Sequence, residues 1–201
     1  MYKHMEGNYM KKTKIAGLVL GMALMLTACG TKDSTETTKG LETWTVTQDY
    51  NYDQIAKWGT MKTPNEGSGS GSAVDTNTSE GFVTIKAADD GWGGLESDYI
   101  ELDLDKDPMI LVKIFENPDG SNWGLKVVPE NAIEDHQWGF YLVPDNNLKW
   151  NKYAGVDVND VLDEDFKAIY GSKVKVKLWV FAAGGPESTV SVSELKVINT
   201  K

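Results

Sequence analysis

The chain has 201 residues, with 20 lysines and no arginine against 30 acidic side chains, for a formal net charge of −10. A surface that acidic repels phosphate backbones and anionic headgroups, which excludes nucleic acid as a natural partner, and the absent guanidinium leaves lysine as the only cation for gripping an anion. One cysteine excludes an intramolecular disulfide, so a folded domain must be held by its core alone.

Lysines 11, 12 and 14 precede an apolar stretch over residues 15–26. It is too short to span a bilayer as a mature helix and has the length of a signal-peptide core. The stretch closes on Leu26-Thr27-Ala28-Cys29, which resembles the lipobox of bacterial lipoproteins. That resemblance implies loss of residues 1–28, a diacylglycerol on the Cys29 sulfur, a fatty acyl group such as palmitate on the new amino terminus, and a place in the bacterial cell envelope on the outer face of a membrane. Met10-Lys11-Lys12 reads as an ordinary start, so residues 1–9 are either an upstream extension or the true beginning. Without residues 1–28 the chain keeps 16 lysines against 29 carboxylates. Residues 29–40 are threonine-rich and polar, and predict a flexible lipidated tether. The remaining segment, 41–201, is long enough for one core.

Within that domain the apolar residues recur mostly at every second position, which predicts a strand protein. The predicted strands cover 42–47, 81–87, 98–105, 108–116, 122–128, 137–143, 148–153, 173–182 and 189–198. Between them lie turn-formers such as Asp89-Asp90-Gly91, Asn117-Pro118-Asp119-Gly120, Pro144-Asp145-Asn146-Asn147 and Gly184-Gly185-Pro186. Residues 65–72 (NEGSGSGS) predict a mobile loop running on to Ser79. Val158, Val161, Leu162, Phe166 and Ile169 recur at three and four, which predicts one short helix near 158–170 ending at Gly171. Near Ser193 and Glu194 the alternation slips, as a bulge causes. Strands with one apolar face each need a second sheet to cover them, hence a β-sandwich.

The run WGGLESDYIELDLDKDPMILVKIFENPDGSNWGLKVV from Trp92, followed by KVKVKLWVFAAGGPESTVSVSELKVI from Lys173, resembles the galactose-binding-like jelly rolls that serve as carbohydrate-binding modules beside bacterial glycoside hydrolases. The resemblance covers roughly residues 41–199. It implies an all-β jelly-roll sandwich and a carbohydrate ligand, and it carries over no catalytic residue.

All seven tryptophans follow the tether. Sugar rings present flat apolar C–H faces, for which tryptophan and tyrosine are natural platforms, with amides, carboxylates and lysine serving the hydroxyls. If successive hairpin loops fall at opposite ends of the sandwich, one pole gathers Trp92, Asn122, Trp123, Asp145, Asn146 and Asn147, with residues 184–188 as a companion. The competing reading makes Trp123 core and Trp92 a plug in a glycine-rich loop. His136 and Trp138 fall at the opposite pole, and Trp44, Trp58 and Trp179 stay open between core and surface.

Glu101, Asp103 and Asp105 look similar to the Glu-x-Asp-x-Glu strand of laminarinase-like jelly-roll glycosidases, save for Asp105 in place of glutamate. Alternate strand residues stand about 7 Å apart, against about 5 Å between the carboxyls of a retaining pair, which favours a solvated acidic face. One histidine after the signal region, His136, cannot assemble a zinc cluster, and neither a Gly-x-Ser-x-Gly elbow nor a phosphate-binding glycine loop is present. Calcium suits the abundance of carboxylates; Asp49, Asp53 and Glu194 are conceivable ligands, but no metal site is assigned. The reading is a membrane-anchored, non-catalytic lipoprotein that presents or retains glycan, beside an envelope glycosidase or transporter. Its rivals are a glycosidase using Glu101 and Asp103, and an adhesive envelope protein without a small ligand.

Overall fold

The computed structural model describes residues 44–65, 68–116, 122–142 and 152–201. Cys29, the signal and tether segments, and Asp145, Asn146 and Asn147 lie outside them. In chain order the described elements are β1 (Thr45–Asn51), α1 (Tyr52–Ile55), β2 (Gly59–Thr60), β3 (Ser72–Asn77), β4 (Phe82–Lys86), β5 (Trp92–Glu96), β6 (Ile100–Asp103), β7 (Pro108–Glu116), β8 (Asn122–Pro129), β9 (Phe140–Leu142), β10 (Lys152–Asp157), α2 (Phe166–Tyr170), β11 (Lys173–Ala183) and β12 (Thr189–Asn199). They form two antiparallel sheets around one apolar interior, an all-β sandwich.

Two long consecutive strands organise it, one in each sheet. In the first sheet β12 pairs with β7 along one edge and, end to end along the other, with β4 and β1; β10 continues beyond β7, and β3 beyond β4. In the second sheet β11 pairs with β8 along one edge and with β5 and β6 along the other; β9 follows β8, and β2 follows β5. The chain therefore changes sheets between β11 and β12. That passage needs the backbone of Gly184 and Gly185, at φ 118° and 153°, and both N–H groups donate to the Gly91 carbonyl at 3.1 Å.

Alternation explains the interior. Val174, Val176, Leu178, Val180 and Ala182 of β11 face Val190, Val192, Leu195 and Val197 of β12 across the sandwich, joined by Leu125 and Val127 of β8 and Ile110, Val112 and Ile114 of β7. Along β12 the positions that join this interior step from 190 and 192 to 195 and 197, because the register against β7 shifts between Val192 and Glu194. The slip in the sequence pattern falls at the same place.

Several segments differ from expectation: α1 is a second short helix where only one was expected, and β10 runs on to Asp157, beyond the strand expected at 148–153. Residues 72–77 form edge strand β3 rather than loop, and residues 92–96 form β5 in a stretch expected to be loop. The helix contracts to Phe166–Tyr170, while Val158 is fully buried and donates its N–H to the Pro108 carbonyl. Core packing, rather than helical periodicity, sets the positions of those residues. Gly171, at φ 83°, ends the helix as anticipated.

Leu178 lies at the centre of β11 with no exposed surface. Leu178→Ala is expected to cost about 2–5 kcal/mol, read in urea as a lower midpoint with an unchanged slope.

Candidate functional site

The pairing register that buries one face of β11 turns Trp179, Phe181 and Ala183 to the outside of the second sheet. Ala183 pairs with Trp92 of β5 and with Asn122 of β8. Phe181 pairs with Gly94 and Gly124, and Trp179 with Glu96 and Lys126, beyond which Lys126 pairs with Tyr141 of β9. The face thus reads in three rows: Trp92-Ala183-Asn122, Gly94-Phe181-Gly124, and Glu96-Trp179-Lys126-Tyr141. Neighbouring strands are about 4.8 Å apart, so each row spans some 10–15 Å.

The glycines are what make the middle row possible. A Cβ at Gly124 would stand 2.2 Å from Phe181 Cζ, and one at Gly94 would meet the backbone of Val180 and Phe181. The phenyl ring therefore lies flat across bare backbone. The rings of Trp92 and Tyr141 both pack edge-to-face against it, with centroids at 6.0 and 5.9 Å, and Trp138 sits 5.9 Å from Trp92. Trp179 and Phe181 are buried under this layer with Met61, whereas Trp92 and Trp138 are half-buried and Tyr141 is 52% exposed. The result is an aromatic surface with a buried lower tier and a solvent-facing upper tier.

Residues 61–65 and 68–71 wall one side. The Met61 N–H donates to the Gly94 carbonyl, and the Gly94 N–H to the Gly69 carbonyl. Gly69, at φ 71°, abuts the Trp92 ring, so a Cβ there would meet Trp92 at 3.0 Å. Asp90 fastens this wall: its Oδ2 accepts the Ser68 hydroxyl at 2.9 Å and the Gly69 N–H at 3.1 Å, while Oδ1 accepts the Trp92 N–H. Desolvation acts to raise its pKa, but those bonds together outweigh it and hold the carboxyl below its ordinary value.

In the third row the buried Glu96 carboxylate is fully answered. Lys177 Nζ reaches Oε1, while Trp179 Nε1 and the Lys62 N–H donate to Oε2 at 3.2 and 3.1 Å. Lys177 also lies 5.1 Å from the Tyr99 ring centroid. Lys126 has no such carboxylate among the described residues; its Nζ donates to the Trp138 carbonyl at 2.9 Å.

The residues singled out from the sequence separate accordingly. Trp92 and Asn122 stand on this face, in one row. Trp123 does not join them: at 6% exposure it packs in the core with Leu125 and Val127, because alternation along β8 turns it inward. Trp138 and Tyr141 belong to the face although neither entered the expected group. Tyr141 was readable from its parity, opposite the inward Leu142. Glu101 pairs with Lys175 and Asp103 with Lys173, while Asp105 leaves the strand in a 3-10 turn over Leu104–Lys106 and meets Lys167 at 3.4 Å. These acids face lysines rather than one another.

Elsewhere, His136 is buried against Phe140 and Phe166. The Tyr170 hydroxyl accepts the Ile133 N–H at 3.0 Å and shares a 3.0 Å hydrogen bond with His136 Nδ1, while His136 Nε2 faces Asp163 at 3.4 Å. Asp53 pairs with Lys57, Asp49 with Lys196, and Glu194 with Lys113, Lys196 and the Tyr153 hydroxyl. Among the described residues no group of three or more His, Cys, Asp or Glu is placed to hold a metal ion, and no helix is long and apolar enough to cross a membrane.

No protein-family model, curated protein or solved structure matches the chain.

Two outcomes follow from this geometry. Gly124→Ala is expected to displace the Phe181 ring at a cost of about 1–3 kcal/mol, seen as a lower unfolding midpoint and altered near-ultraviolet circular dichroism. Asp90→Asn is expected to speed hydrogen exchange at the Gly69 amide about tenfold at neutral pH. Because the folded Asp90 pKa is depressed, its hold on the wall is complete above the ordinary carboxylate value and is lost as pH falls through the depressed one. Wild-type exchange therefore approaches that of the variant only in acid, after correction for intrinsic rates.

Proposed function

We propose that this protein binds carbohydrate without transforming it, on the outer face of the second sheet, as a lipoprotein tethered to the bacterial envelope through Cys29. The observation that carries the reading is the tiered aromatic surface: Trp92, Trp138 and Tyr141 share one face around a buried Phe181. The rings of Trp92 and Tyr141, carried on two strands of one sheet, suit the C–H faces of a saccharide, and Asn122 supplies an amide beside them for hydroxyls. The buried tier matters as much as the exposed one, because it fixes the upper rings before a ligand arrives and lowers the ordering cost of binding.

The lysine partners of Glu101 and Asp103 support the non-catalytic part of the reading. Retaining hydrolysis needs two carboxyls facing each other about 5 Å apart across a substrate, whereas these two occupy alternate positions of β6, each opposite a lysine of β11. Cys29 with its tether adds a physical purpose: a fixed binder holds glycan at high local concentration beside neighbouring envelope proteins, such as a glycosidase or a transporter.

The test is a glycan array followed by calorimetry with wild type and a Trp92→Ala, Tyr141→Ala double variant. Removal of both rings is expected to weaken binding at least about tenfold while the far-ultraviolet spectrum stays native. Absence of any sugar-dependent signal from wild type would leave the adhesive alternative in its place.

A further inference from the structure

Among the described residues, Lys126 is a charged group of this face that meets no countercharge. It is 6% exposed, between Trp179 and Tyr141 in the third row, with Nζ 4.2 Å from the Tyr141 ring centroid and 6.0 Å from that of Trp179. An ammonium has three donors, and the Trp138 carbonyl takes one of them. The two rings attract the cation through their faces but bring no countercharge. Among the described residues no carboxylate stands within ion-pair distance of Lys126; the nearest in its row, Glu96, is committed to Lys177, Trp179 and Lys62.

A desolvated cation without a counter-ion is costly, and burial does push the Lys126 pKa down. Methionine would fill the same space without that penalty. Retention of the amine therefore points outward, to a ligand group that completes its coordination. In the water-poor layer between rings, one ammonium attracts an anion far more strongly than the exposed lysines elsewhere on this acidic chain. A lone lysine is also a point charge rather than a fork, so it matches a single anionic group.

We infer that Lys126 is the charged subsite of the aromatic face: a saccharide stacked on Trp92 and Tyr141 directs one anionic substituent, a carboxylate or a sulfate ester, to Lys126 Nζ. This rests on the carbohydrate-binding reading and narrows it to acidic sugars.

The test compares oligogalacturonate, its neutral methyl ester and a sulfated galacto-oligosaccharide, each titrated by calorimetry into wild type and Lys126→Met. At least one acidic ligand is expected to bind wild type about tenfold or more tightly than the methyl ester, and Lys126→Met is expected to abolish that preference. Preference for the uronate or for the sulfate identifies the anion. Equal binding of acidic and neutral ligands by wild type overturns the inference and leaves carbohydrate binding intact, while no binding of any glycan overturns both. A second readout needs no variant. In wild-type protein carrying 13Cε-lysine, the Lys126 resonance is expected to move with the acidic ligand and not with its ester, and a resonance unmoved at saturation overturns the assignment.

Discussion

The register of β11 is the constraint on which the rest depends. Its eleven residues bond along both edges, to β8 on one side and to β5 and β6 on the other, so its phase sets the phase of every strand in the second sheet. Even positions supply the apolar interior; odd ones supply lysines at one end and aromatic rings at the other. A slip by one residue would place Lys175 and Lys177 in the core and Val180 on the surface. The energetic demand for a dry interior thereby also determines the outer aromatic face, without any separate stabilisation of that face.

The outer face is nonetheless more than a by-product. Phe181 needs a bare strand on each side, and Gly94 and Gly124 provide it. Glu96 and Lys177 pair at the buried edge, where the carboxylate also holds Trp179 Nε1 and the Lys62 amide. Three donors there meet the two oxygens of one carboxylate, the condition under which buried charge is tolerated. Lys126, in the same row, lacks that closure. Two buried ionic groups on either side of Trp179, one closed and one open, mark the division between what supports this face and what remains available on it.

Much of the architecture was legible in the chain. Residues 108–116 were expected as a strand with the bounds that β7 has, because one of its faces is wholly apolar and period two survives. The two final strands were legible as well, β11 from unbroken alternation and β12 in spite of the slip near Glu194. β5 was not: Trp92-Gly93-Gly94 looks like a loop, yet those glycines mark close approach, with Gly71 against the Gly93 backbone and Phe181 beside Gly94. Trp123 was grouped with Trp92 by reasoning from loop position, whereas its parity with Leu125 and Val127 already pointed inward. Parity along strands, rather than the pole at which loops gather, was the signal that sorts the tryptophans.

The passage of the chain from one sheet to the other between β11 and β12 bears on when the domain can exist at all. The central strand of each sheet lies in the last stretch of the chain, and β12 must find β1, its partner some 150 positions earlier. A nascent chain ending before residue 173 holds neighbours without the strands they pair to: β5, β6 and β8 lack their common partner, as do β1, β4 and β7. Loop-closure entropy and non-local pairing then make completion a single late event rather than a gradual accretion. Such a polypeptide stays open until nearly all of it has emerged, which is the state that threading through a narrow pore demands.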